Sequence, residues 1–217
     1  MSDIGASNTG IVMPMFPLGS VLLPDGVLPL HIFEPRFQQL LNHALEADRR
    51  FGVVLITRGS EVGGGETRAD IGTVATIDDY QRFDDGRAAV VSHGASRFRV
   101  IEWLEDDPYP RALIQELDPE PEGRNDHDLL RTARESFDAL IELGQKLGRL
   151  ESAPNADWES DLEAATWQLA ARSPCTPLDQ YSVLSAPTRA DRLMLIDQLL
   201  RDVYGDLELM GGLDSSP

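Results

Sequence analysis

Apart from one helical stretch after Pro35, the hydrophobic period of this chain changes at one composition break, Asp118-Pro119-Glu120-Pro121-Glu122-Gly123. Before the break, apolar residues alternate or run in short blocks, as in strands. After it they recur every third or fourth residue, as on one face of a helix. Strands and helices segregated along a chain argue an α+β fold or two subdomains, since alternating βα units would mix them. The 217 residues are enough to bury a core for either arrangement.

In the first half, Ile11 to Phe16 reads as a strand ended by Pro17-Leu18-Gly19. Pro24-Asp25-Gly26 is a turn signal, and Leu28 to Phe33 is extended. Pro35 opens a helix, where its missing N–H costs nothing. Phe37, Leu40, Leu41, Ala44 and Leu45 give that helix one apolar face. Phe51 to Thr57 is a buried strand. Gly59 to Thr67 reads as a mobile loop. Ile71 to Phe83, Ala88 to Ser92, Ser96 to Leu104 and Arg111 to Leu117 are further strands, with Asp84-Asp85-Gly86 as a hairpin turn.

In the second half, Leu130 to Leu147 marks a long amphipathic helix, and Trp158 to Leu169 another. Leu178 to Leu184 is a short helix. Thr188 and Asp191 resemble a capping box ahead of a last helix that stops near Gly205. The expected organisation is a disordered tail over residues 1–10, a β-domain over 11–118, a helical subdomain over 119–206 and a flexible tail over 207–217.

Charge and residue usage exclude several functions. The formal net charge is −18, a field that repels nucleic acid and anionic membranes. Basic or exposed apolar polypeptide segments suit it better. One cysteine, Cys175, allows no intrachain disulfide and suits a cytoplasmic protein. The first ten residues do not read as a signal peptide, and no apolar run approaches a membrane span.

The catalytic patterns fail one by one. A P-loop needs a lysine after its glycines, and Gly63-Gly64-Gly65-Glu66-Thr67 offers a carboxylate there. The only lysine, Lys146, lies near a helix C-terminus, where it complements the helix dipole. Gly94-Ala95-Ser96 is followed by Arg97 and so breaks the nucleophile-elbow pattern. His31, His43, His93 and His127 form no metal-binding motif, and Pro35 keeps His31 and Glu34 off a common helix face. The acidic groups Asp78-Asp79, Asp84-Asp85 and Glu105-Asp106-Asp107 lack calcium-loop spacing and read as solvated tips. No catalytic residue, metal site or cofactor is expected.

The stretch Phe16-Pro17-Leu18, Val21-Leu22-Leu23-Pro24 and Leu28-Pro29-Leu30-His31-Ile32-Phe33-Glu34-Pro35-Arg36-Phe37 resembles the signature of the Lon protease N-terminal, substrate-binding domain. Phe51-Gly52-Val53-Val54, Ile71-Gly72-Thr73-Val74-Ala75, Asp85-Gly86-Arg87, Gly94 and Arg97-Phe98-Arg99-Val100 follow in family order. Tyr181-Ser182-Val183-Leu184 and Arg192-Leu193 extend the resemblance over about residues 11 to 204. It implies a PUA-like β pseudo-barrel followed by a helical bundle, and a role in holding polypeptide substrates or partners. The sequence departs from full-length Lon in carrying neither ATPase nor protease module, so a stand-alone member acting as an adaptor or regulator of proteolysis is expected. The resemblance places a partner-binding surface at Phe33, Glu34, Arg36 and Phe37. Conventional packing is the competing reading there, with Phe37 in the core and Arg36 paired to Glu34. A small-molecule or RNA-binding module on the same fold is the alternative function, and an unrecognised hydrolase a third. A homo-oligomer is compatible with the binding role.

Overall fold

The computed structural model describes residues 10–59, 66–150 and 157–214. The expected tail before residue 10 and the glycines 63–65 lie outside the described residues. The chain divides into two compact units, residues 1–118 and 119–217.

The first unit is a sheet of six strands with one helix. The elements are β1 (Ile11–Leu18), β2 (Val27–Ile32), α1 (Pro35–Glu46), β3 (Arg50–Arg58), β4 (Thr67–Arg82), β5 (Ala88–Trp103) and β6 (Arg111–Glu116). The sheet order is β2-β5-β4-β3-β1-β6, and β5 also pairs with β6. Five strands therefore close a ring, while β2 stays outside it on the first half of β5. Closure removes most unpaired sheet edges.

Two sequence expectations need correction. β5 is one strand rather than two. Its first half pairs with β2 and β4, and its second half with β4 and β6. Gly94, which lies in the gap expected between Ser92 and Ser96, is a point of close approach. A Cβ there would stand 2.2 Å from the Leu23 carbonyl oxygen. β1 also does not end at Pro17, which pairs with Val54.

Register explains how β1 carries two prolines. Met15 N–H donates to the Pro110 carbonyl on the β6 side, at 2.8 Å. Pro17 faces that same side, beyond Pro14, where pairing with β6 stops. Pro14 faces β3, whose pairing begins only at Met15. Neither missing donor falls where a partner strand would need it.

Helix α1 packs its apolar face on the sheet. Phe37, Leu40, Leu41 and Ala44 join Phe16, Phe51, Val53, Ile77 and Val90 in one core cluster. A second cluster, around Met15, Val54, Val74, Phe98 and Ile114, fills the ring.

The second unit holds α2 (Asp126–Lys146), α3 (Leu162–Arg172), α4 (Pro177–Ser185) and α5 (Arg189–Asp214). α5 runs through Gly205, so that glycine does not stop it. Trp158 precedes α3 and packs edge-on against Phe137, with ring centroids 5.7 Å apart. The reciprocal capping box belongs to α4, through Thr176 and Asp179. At α5, Asp191 N–H donates to Thr188 Oγ1 at 3.1 Å. Lys146 is the final residue of α2.

Candidate functional site

The extended strand β2 meets α1 at Phe33-Glu34-Pro35. Proline forces extended backbone on the residue before it and preorganises the first helical turn. Glu34 has that extended backbone as N-cap, and its carbonyl accepts from the N–H groups of Phe37 and Gln38, each at 3.0 Å. Its side chain makes no cap bond and accepts from Arg36 Nε at 2.9 Å. The Arg36 guanidinium lies 4.5 Å from the Phe37 ring centroid.

The four residues thus separate by direction. Phe37 turns inward and is 4 % exposed. Glu34 and Arg36 form a half-buried pair. Phe33 turns outward and is 58 % exposed. The Gln38 amide steadies this corner by donating to the Phe33 carbonyl at 3.2 Å.

Phe33 stands between two cavities. One, of about 190 Å³, is walled by Phe16, Pro17 and Leu18 on one side and Pro29 to Glu34 on the other, with Phe37 beside them. The other, of about 280 Å³, is lined by His31, Ile32, Phe33, Phe83, Arg87 and Ala88. Phe83 is 40 % exposed, so two aromatic side chains flank that second cavity, one just past the end of β2 and one just past the end of β4.

Reading the sequence missed Phe83, Arg87 and Pro17. The hairpin Phe83 to Arg87 carried a turn signal that obscured its aromatic flank. Pro17 looked like a strand terminator. Arg87 donates to Asp85 through Nε at 2.7 Å, so its charge is already paired.

The helical unit has a larger cavity of about 520 Å³, with Phe137, Leu140, Ile141 and Gly144 of α2 on one wall and Val203 of α5 on another. Sequence periodicity assigned those α2 residues to the apolar helix face, and of them Phe137, Leu140 and Gly144 are buried while Ile141 is half-buried. Among the described residues no group of three or more His, Cys, Asp or Glu side chains is placed to hold a metal ion. Among the same residues no helix is long and apolar enough to cross a membrane.

A family model for the substrate-binding domain of the ATP-dependent protease La (LON) matches residues 12–202. The chain belongs to this Lon substrate-binding domain family. It is 29 % identical over 217 residues to Lon protease 2 of Myxococcus xanthus, covering 94 % of this chain and 25 % of that protein. It is 28 % identical over 224 residues to Lon protease of Anaeromyxobacter dehalogenans, covering 98 % of this chain and 26 % of that protein. The chain therefore spans about a quarter of the length of these Lon relatives.

Among solved structures it is similar to a Lon N-terminal domain protein from Xanthomonas campestris. That match has a TM-score of 0.61 and 26 % identity, and covers 88 % of this chain and 98 % of the other. The N-terminal domain of a Mycobacterium avium complex Lon protease shares the fold, with a TM-score of 0.63 at 16 % identity, covering 88 % and 99 % of the two chains.

Proposed function

We propose that this chain binds polypeptide segments at the β2–α1 corner, with Phe33 as the main apolar contact and Glu34 and Arg36 at its rim. The observation that carries the reading is the exposed Phe33 ring between two cavities. A large aromatic held on rigid flanking elements gives contact area at little entropic cost. Phe37 supports the corner from below rather than touching the partner. The net charge favours basic or neutral segments and opposes RNA.

The reading takes the closed strand ring as a PUA-like pseudo-barrel and the second unit as a helical bundle, with the β-domain over residues 11–118 and the helical subdomain over 119–206. It extends to an adaptor or regulatory role, in which a bound segment is held for a protease. That role is supported by the Lon relatives, whose length this chain matches in part. No catalytic step is assigned to these residues.

The test is binding of fluorescently labelled unfolded polypeptides to the 217-residue chain, followed by anisotropy. Binding above that of an unrelated protein of equal charge, weakened roughly tenfold by Phe33→Ala, is expected. Equal binding by both proteins would remove the proposal.

A further inference from the structure

Strand β2 has one open edge. It pairs with β5, and among the described residues no strand pairs with its other side. Hydrogen-bond parity identifies which groups face outward. Gly94 N–H donates to the Gly26 carbonyl at 2.8 Å, so position 26 bonds toward β5. In an antiparallel pair, positions that bond to the partner alternate with positions that do not. Leu28, Leu30 and Ile32 therefore share the parity of Gly26, and Val27, Pro29 and His31 turn their backbone groups to the open edge. The position of Pro29 agrees, because a proline at an inward position would break the β5 ladder. All three outward residues are exposed, Val27 by 71 %.

A facing wall exists. The C-terminal half of β1 pairs with β3 on one side only, and Pro17 faces away from that pairing. The cavity of about 190 Å³ lies in the seam between the two walls, with Phe16 and Pro17 on one and Pro29, Leu30 and His31 on the other. It is smaller than the range of about 300–1,000 Å³ that suits drug-sized ligands. It matches a single side chain better.

We propose that one extended polypeptide segment adds to β2 in this seam, bonding to the backbone of Val27 and His31 and placing one apolar side chain in the cavity. This rests on the polypeptide-binding reading and specifies its geometry. The occupant follows from the edge itself. Alternating unpaired N–H and C=O groups at strand spacing are complementary to another peptide backbone. Charge selects among segments, since a net −18 favours basic flanks around the apolar residue. Pro29 supplies an acceptor but no donor, so the added ladder has a gap and the segment can be released.

The experiment uses the 217-residue chain and a short basic peptide with a central run of valine and leucine. Matched peptides carry an N-methyl group at one backbone amide each. Losses of affinity that alternate along the peptide are expected, because only every second amide faces β2. Amide exchange of Val27 and His31 should slow when the peptide binds. His31→Pro removes one outward donor without touching the β5 ladder, and should weaken binding roughly three- to tenfold. Should that variant be unstable, the N-methyl series on the unaltered protein decides.

Peptide binding with no alternation and unchanged exchange at Val27 and His31 would overturn strand addition while leaving polypeptide binding intact. Failure of every peptide and every unfolded chain to bind would remove both. Self-association that protects the same two amides without peptide would assign the seam to a second copy and overturn the proposed occupant.

Discussion

The rings of Phe16 and Phe37 stack with centroids 4.1 Å apart and planes 15° from parallel. This stack fastens α1 to β1 and gives Phe37 and Phe33 opposite roles, although both aromatics flank the same Glu-Pro-Arg corner. Phe37→Ala is expected to cost about 3–5 kcal/mol, from lost burial and the cavity it leaves. Phe33→Ala should change stability by about 0.5 kcal/mol or less. Urea denaturation of both variants checks the contrast, and equal losses would place both rings in the core.

This corner shows what the sequence made legible. Periodicity identified the buried face of α1, and the Pro35 rule placed its start. The Arg36–Glu34 pairing was readable because the two residues are neighbours along the chain. The cavities were not readable, since one depends on how β1 and β2 are held face to face by the sheet and the other joins the end of β2 to the β4–β5 hairpin, far away in sequence. Closure of the sheet was hidden for the same reason, because it needs β1 to pair with β6, Ile11 against Ile114. The continuity of β5 through Gly94 was not readable either, because a glycine in a strand pattern fits a bulge or a close approach, and only the Leu23 carbonyl beside it decides.

Gly94 is held from both sides by backbone. Its N–H donates to the Gly26 carbonyl, and its own carbonyl accepts from Asp25 N–H at 2.9 Å. The atom that an added methyl would strike is backbone and has no rotamer to escape into. Gly94→Ala should destabilise by about 1–3 kcal/mol through overpacking. A shifted denaturant midpoint with an unchanged slope is the expected signature. A neutral result would show that the Leu23 turn yields.

Arg189 ties the helical unit together. It donates to Asp126 Oδ2 at 3.0 Å and to Glu163 Oε2 at 2.5 Å. Burial pushes its pKa down, but the Glu163 and Asp126 carboxylates outweigh burial and hold it above the usual arginine value. Asp126 is 3 % exposed, so Arg189→Met leaves a buried carboxylate without its cation. A loss of about 3–5 kcal/mol is expected. Adding Asp126→Leu should recover part of it, and a strictly additive double mutant would argue against coupling.

Cys175 should be a poor nucleophile. Burial, and then the Asp179 charge, push its thiol up to about 11. The thiolate is the reactive form, so alkylation near pH 8 should run about a hundredfold slower than for an unperturbed thiol. Denaturant should restore the ordinary rate. Fast modification of the folded protein would show the thiol to be far more acidic.

The β-domain carries an acid-sensitive contact between strands. Arg50 of β3 donates to Glu116 of β6 at 2.5 Å, and the Ser96 hydroxyl donates to the same carboxylate. Burial alone would raise the Glu116 pKa. The Ser96 and Arg50 hydrogen bonds and the Arg50 charge outweigh it, so the folded value lies below the usual carboxylate range. The sign follows from linkage: the unfolded chain takes up this proton first as pH falls. The stabilisation is whole above the unfolded glutamate pKa of about 4.3 and is lost as pH drops through the lower folded value. Both side chains are partly exposed, which limits the contribution to about 1 kcal/mol. Glu116→Gln should lose about that much near pH 7 and converge with the parent at strongly acid pH. Denaturation midpoints of the two proteins across the acid range test this directly. Parallel profiles would mean that the carboxylate adds nothing a neutral amide cannot supply.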